Sequence, residues 1–264
     1  GISEGFNQAG FNVVSAVEFD PQIANTLIKN HPNTKVLIDD ICKINSKDLL
    51  NGYSNIDVIA GGPPCQGFSM AGRRIRNSGA FLNDPRNNLF KEFYRVVSDI
   101  KPKIFIMENV PGILNIHDGE VRNSILQLFG SIGYKTSFKI LLASEYGVPQ
   151  LRKRAYFIGN NLGINSEDLF PNKTHGANLS ANVTIEDAIF DLPFINAGQG
   201  KNKSTYDKNA ISDYQKSMRG VNKYLYNHVS SNHNPKTLKI MEMIKEGEGM
   251  KDLPKNLRTK SVHS

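Results

Sequence analysis

The feature that most constrains this chain is a rhythm. Over its first two-thirds, short apolar runs alternate with amphipathic stretches of helical period. The runs fall at residues 13–17, 35–38, 57–60, 104–107 and 155–158, and helix-like segments at 3–9, 21–29, 87–100 and 119–129. Short apolar runs bounded by turn residues read as buried strands, and amphipathic segments between them read as crossover helices. Repeated alternation of this kind predicts an α/β fold, with a mostly parallel sheet covered by helices on both faces. Ligands of such sheets sit beyond the carboxyl ends of the strands, so chemistry is sought just after each run.

Beyond about residue 170 the rhythm fades. Asn, Ser, Lys and Gly become common, and only residues 237–245 keep a helical pattern. The division predicts a main domain over residues 1–165 and a smaller region over 166–264, with a polar Gly/Lys-rich loop at 196–209. Charge follows it. Residues 1–170 hold 18 basic and 16 acidic side chains, residues 171–264 hold 14 and 9, and the whole chain is +7. A basic C-terminal part suits a polyanion partner, although a solvated lysine surface gives the same count. No apolar run is long enough to span a membrane. Two cysteines, Cys42 and Cys65, do not make a disulfide framework and fit a reducing cytoplasm. Cys42 reads as buried filler beside Ile41. The six histidines have no metal-ligand spacing, so no metal is expected.

The most informative segment is Gly61-Gly62-Pro63-Pro64-Cys65-Gln66-Gly67-Phe68-Ser69, directly after the run at 57–60. Paired glycines and prolines impose a stiff, unusual backbone path. A thiol held at a strand end is presented to the cleft, and nearby backbone N–H groups favour its thiolate. A lone cysteine in a tight turn would read as packing; nine patterned residues around it do not. Glu108-Asn109-Val110 follows the run at 104–107. Gln150-Leu151-Arg152-Lys153-Arg154 enters the last run, and Arg152 and Arg154, two apart in a strand-like stretch, share a face. Glu18-Phe19-Asp20 and Asp39-Asp40-Ile41 follow the first two runs. Residues 69–83 hold Arg73, Arg74 and Arg76 with little apolar content and read as a mobile loop.

Taken together and in this order, these motifs resemble those of the C5-cytosine DNA methyltransferases of bacterial restriction–modification systems, over about residues 1–159. The resemblance implies a Rossmann-like S-adenosylmethionine-dependent methyltransferase sheet with a partial target-recognition region. It implies Cys65 as the nucleophile that adds to carbon 6 of cytosine, activating carbon 5. Glu108 then offsets charge at ring nitrogen 3, which requires it to be transiently protonated. Arg154 is expected on the ring oxygen and Arg152 on Glu108. For the cofactor, S-adenosyl-L-methionine, Glu18 is expected to hold ribose hydroxyls, Phe19 to stack on adenine and Asp40 to accept from the adenine amino group. Ile41, Pro64 and Leu89 line the same pocket, and Gly1 and Ile2 lie by the methionine part. Gln66, Ser69, Arg73, Arg74 and Gln150 are expected to meet duplex DNA, whose target base is flipped out. A monomer is implied, in the cytoplasm at the nucleoid, with a cognate restriction endonuclease that reads the same site without being bound.

Gly1-Ile2-Ser3-Glu4-Gly5-Phe6 resembles the tail of the family's glycine-rich cofactor motif. Its first strand, and its last motifs, are expected to lie outside this chain, a fragment cut at both ends. Three other readings are weaker. The tRNA-directed branch carries a Cys-Phe-Thr signature, and no cysteine follows Cys65. A catalytically dead regulatory module would have no need of Cys65, Glu108 and both arginines. A nucleotide-dependent oxidoreductase would need a Gly-x-Gly-x-x-Gly turn.

Overall fold

The computed structural model of the protein describes residues 1–64 and 88–258. They fall into two compact units, Gly1–Asn182 and Val183–Ser264.

The first unit opens with helix α1 (Ile2–Gln8), then β1 (Ser15–Glu18), α2 (Pro21–Asn30) and β2 (Lys35–Ile38). Helix α2 begins where the sequence says it should. The Asp20 side chain accepts from the backbone N–H groups of Gln22 (2.7 Å) and Ile23 (3.3 Å), and Pro21 opens the first turn. Strand β3 (Val58–Gly61), helix α3 (Asn88–Ile100), β4 (Ile104–Asn109), α4 (Glu120–Ser131), β5 (Lys135–Leu142) and β6 (Lys153–Asn160) follow.

Strands β1 and β2 pair in parallel as a two-stranded sheet, and a four-stranded sheet runs in the order β3-β4-β6-β5. Within it β3 and β4 are parallel, but β6 runs antiparallel to both neighbours. The α/β architecture agrees with the sequence reading, whereas the sheet is mixed rather than mostly parallel. The reason is the short link between β5 and β6: a parallel return needs a long crossover, and this one contains only the turn Ala143–Tyr146 and six irregular residues, 147–152.

The main core lies between β4, β6, α3 and α4. Phe90, Val97, Phe105, Met107, Ile125, Phe129, Ala155 and Phe157 are buried there. Phe129 gathers three edge-on rings, Phe90, Phe93 and Tyr94. Each such ring contributes roughly 1.5–3 kcal/mol on burial. A second cluster joins the two sheets. Ile44, Leu49 and Val96 are its buried members, packed by Val17 from β1, Leu37 from β2 and Ile59 from β3.

The second unit holds helix α5 (Ile185–Ile189), β7 (Gly200–Thr205), α6 (Asp213–Arg219), β8 (Tyr224–Val229) and α7 (Pro235–Glu242). Capping boxes start α5 (Thr184 with Asp187) and α6 (Ser212 with Gln215). Strands β7 and β8 form an antiparallel pair. Residues 196–209 are therefore not only the loop that composition suggested: six of them are strand. A solvated ribbon needs no apolar alternation, which is why the pattern was silent. Gly200 stands at positive φ so close to the His228 carbonyl that a Cβ there would overlap it. No helix among the described residues is long and apolar enough to cross a membrane.

Candidate active site

Strand β4 alternates strictly. Phe105, Met107 and Asn109 turn into the core, and Ile104, Ile106 and Glu108 face the other way, half-buried. Its last two residues carry the site. The Asn109 side chain, 6% exposed, donates from Nδ2 to the Pro63 carbonyl at 2.8 Å, while its Oδ1 accepts from the Val110 N–H at 3.0 Å. That bond ties the end of β4 to the Gly-Pro-Pro turn leading into Cys65.

Glu108 completes the junction. Its Oε1 lies 2.7 Å from Arg154 Nε, with both side chains about a quarter exposed. Its Oε2 lies against Gly62, where an added Cβ would stand only 2.9 Å away. The antiparallel register sets Glu108 opposite Tyr156, and this reversal brings the start of β6 to the carboxyl end of β4. Tyr156 has its pKa raised by burial first and by the Glu108 carboxylate second, with Arg154 and Arg152 opposing. Glu108, Tyr156 and both arginines therefore share one electrostatic neighbourhood. The ion pair on Glu108 comes from Arg154, not from Arg152 as expected. Arg152 precedes β6 and is exposed, as is Gln150. Arg154 also donates from Nη1 to the Lys153 carbonyl at 2.8 Å.

The cofactor candidates sit at strand ends. Glu18 closes β1, and its Oε1 accepts from the Asp20 N–H at 3.0 Å. Phe19 beside it is 72% exposed, a large ring left in solvent. Asp40 follows β2 and caps the turn Ile41–Lys43, its Oδ1 accepting from the Cys42 N–H at 3.0 Å. That backbone bond, chiefly, holds its carboxyl below the usual range. Two acceptor carboxylates at the ends of paired parallel strands, with an exposed ring next to the first, suit ribose hydroxyls, a purine amino group and a purine face, so these residues fit an adenosyl group. Leu89, in the first turn of α3, is exposed, as are Pro64, Gly1 and Ile2, while Ile41 is half-buried. Cys42 is a correction. It is exposed rather than buried filler, because the turn directs Ile41 inward and its successor outward. Partial desolvation first, and Asp40 next, push its thiol up, which keeps it protonated.

Cys65, Gln66, Ser69, Arg73, Arg74 and the loop at 69–83 lie outside the described residues. Among the described residues no group of three or more His, Cys, Asp or Glu is placed to hold a metal. The sequence reading gave Tyr156 no role, and it used Gly62 for the backbone path and Asn109 as a motif residue without assigning either one a contact. Tyr156 was findable, since it stands two residues beyond Arg154 on the same face of the strand. The bond from Asn109 to Pro63 joins distant segments, and no local pattern signals it.

Comparison with known proteins covers nearly the whole chain. The profile of the C-5 cytosine-specific DNA methylase family matches residues 1–262. The Type II methyltransferase M1.HphI of Haemophilus parahaemolyticus is 38% identical over 260 residues, covering 98% of this chain and 62% of that protein. The Type II methyltransferase M.DdeI of Desulfomicrobium norvegicum is 39% identical over 256 residues, 95% of this chain and 60% of that one. The chain thus spans about three-fifths of these relatives' length. Among solved structures, a prophage-encoded E. coli protein assigned as a DNA modification methyltransferase superposes with a TM-score of 0.72. It is 28% identical and covers 92% of this chain and 72% of that one.

Proposed function

This chain belongs to the C-5 cytosine-specific DNA methylase family, and on that footing we propose that it methylates carbon 5 of a cytosine flipped out of duplex DNA. One observation carries the reading: a carboxylate held by a guanidinium and a buried amide both meet the Gly62-Pro63 segment that enters Cys65. Carbon 5 of cytosine is a poor nucleophile. The Cys65 thiolate adds to carbon 6, which breaks the ring's aromaticity and makes carbon 5 enamine-like. S-adenosyl-L-methionine, when bound, supplies the electrophilic methyl group that carbon 5 attacks. Glu108 meets the charge that builds at ring nitrogen 3 with a proton or hydrogen bond. Arg154 orients Glu108 through Nε, and among the described residues its Nη2 has no hydrogen-bond partner, so it can reach the ring oxygen as well and serve both roles the motif divides between two arginines. Arg152 adds positive charge nearby. Loss of the carbon 5 proton then expels the Cys65 thiolate.

Glu18, Phe19, Asp40 and Ile41 hold the adenosyl part of the cofactor, with Pro64, Leu89, Gly1 and Ile2 around it. Gln66, Ser69, Arg73, Arg74 and Gln150 meet the DNA. Residues 166–264 begin the target-recognition region. The β7–β8 ribbon supports that placement, because its exposed face sets Lys203 Nζ 4.0 Å from the Tyr224 ring and 5.8 Å from Tyr226. Cation and aromatic together suit phosphates and bases. The named relatives are Type II methyltransferases, which supports a restriction–modification role; by the family resemblance the enzyme acts as a monomer at the nucleoid, with an endonuclease that shares the site without binding it.

The test uses duplexes carrying 5-fluorocytosine, in which fluorine cannot leave as the carbon 5 proton does. With cofactor present, mass spectrometry is expected to find a covalent DNA adduct on Cys65, lost in Cys65→Ser. Folded chain that binds the cofactor yet gives no adduct with any duplex would overturn the DNA reading.

A further inference from the structure

Arg95 lies on α3 and is not among the residues given a role above, though it bonds the backbone of one of them, Ile41; among the described residues of the first unit no side chain makes more hydrogen bonds. Its Nε donates to Glu92 Oε2 at 2.6 Å. Nη1 donates to Ser46 Oγ at 2.7 Å and stands 3.6 Å from Asp99 Oδ2. Nη2 donates to two backbone carbonyls, Ile41 at 3.0 Å and Ile44 at 3.1 Å. Ser46 Oγ in turn donates to Asp99 Oδ2 at 2.7 Å, and Ser46 is 3% exposed. A guanidinium has five N–H donors in a rigid fork, and here each side of the fork has a partner.

Glu92, Arg95 and Asp99 share one side of α3 at the spacing that makes helical neighbours. The opposite side sends Phe90, Tyr94 and Val97 into the core. The helix is thus anchored in the main sheet by one side and holds the turn after β2 by the other. That turn needs holding. It extends from a two-stranded sheet, which is marginal by itself, and its apolar tie to the rest is the small cluster of Ile44, Leu49 and Val96.

We propose that Arg95 is a positioning residue for cofactor binding: it fixes the turn that carries Asp40 and Ile41 at a set distance from α3, which carries Leu89. The inference rests on the reading that Asp40 and Ile41 take the adenine. In that reading a flat ring must fit between groups on the turn and groups on the helix. The helix–turn spacing then sets the affinity, and Arg95 supplies the polar bonds that span it. Ordering the turn before the ligand arrives removes an entropy cost that binding would otherwise carry.

Lysine keeps the charge but cannot reproduce the fork, so Arg95→Lys isolates the geometry. Calorimetric titration of the chain with S-adenosyl-L-methionine is expected to show binding weakened by about tenfold. At saturating cofactor kcat stays within about threefold, so the loss appears in KM. Ser46→Ala, which keeps Arg95 and removes one bond, is expected to weaken binding by two- to threefold, and it serves if Arg95→Lys does not fold. A fall in melting temperature with cofactor affinity unchanged in both variants would overturn the proposal, leaving Arg95 a purely structural tie. Asp40→Ala separates the two levels of the argument. If Asp40→Ala binds as wild type does, the adenine assignment fails and the inference with it. If Asp40→Ala weakens binding and the Arg95 and Ser46 variants do not, the adenine assignment stands and only the brace is refuted.

Discussion

Gly62→Ala tests the site geometry with the smallest available change. The backbone of Gly62 is not at positive φ, so alanine is accommodated by the main chain. What it meets is a carboxylate. Its Cβ would lie 2.9 Å from Glu108 Oε2, where ordinary contact begins at 3.4 Å, so the oxygen must retreat by about 0.5 Å. Glu108 cannot retreat freely, because its other oxygen is held 2.7 Å from Arg154 Nε. A 1 Å misplacement near the chemistry costs roughly 100-fold, so half that distance corresponds to about tenfold, or ~1.4 kcal/mol. Stability moves the other way, since replacing a compatible glycine removes unfolded-state entropy worth about 0.4–1 kcal/mol. Single-turnover methylation of a duplex substrate, run beside thermal melting, reads both. A rate about tenfold down with an unchanged or slightly raised melting temperature is expected. A rate within twofold of wild type would refute the claim that Glu108 sits against this turn.

Three more perturbations follow from the same geometry. Asn109→Ala leaves the Pro63 carbonyl without its donor, at a cost of roughly 1–3 kcal/mol, and a melting temperature lowered by several degrees is expected; an unchanged melt would deny that the bond is formed in solution. Tyr134, 4% exposed and donating to the Pro102 carbonyl at 2.5 Å, has its pKa pushed up by burial from 10.0 to about 12. The folded state keeps its proton longer than the unfolded one. Stability is therefore full below pH 10 and declines between about pH 10 and 12, by up to ~2–3 kcal/mol, and urea melts across that range should show a decline that Tyr134→Phe lacks. Lys203→Ala on the exposed ribbon should lower the slope of log affinity against log salt by about 0.9 per lost phosphate contact; anisotropy titrations with an identical slope would remove that lysine from the DNA surface.

Much of the fold was legible because burial is written as local pattern. The runs at 35–38, 57–60 and 104–107 coincide with strands, and the helix-like segment at 21–29 coincides with helix α2. Strand β5 was missed. It lies at the sheet edge, and Lys135-Thr136-Ser137-Phe138-Lys139 buries too little apolar surface to alternate visibly. The direction of β6 was missed for another reason: an apolar run looks the same read either way, and only the length of the β5–β6 link carries the sign. At the candidate site, motif order singled out Glu108 and Arg154, but not which of their atoms meet. That Arg154 rather than Arg152 pairs with Glu108 depends on the register between β4 and β6, fixed by packing across the whole sheet.

The reversed strand has a further consequence, for the order in which the molecule assembles. Strands β5 and β6 are neighbours in the chain and can zip together early, since closing a short loop costs little entropy. Strand β4 comes from earlier in the chain and must dock along the exposed side of β6 before Glu108 meets Arg154. Until it docks, the carboxylate and the guanidinium remain apart in solvent. Formation of this ion pair is thus expected late in folding, and a mutation that slows docking would yield chains with native helices and no Glu108–Arg154 pair; if the proposed role of the pair holds, stopped-flow recovery of methylation would lag behind recovery of ellipticity.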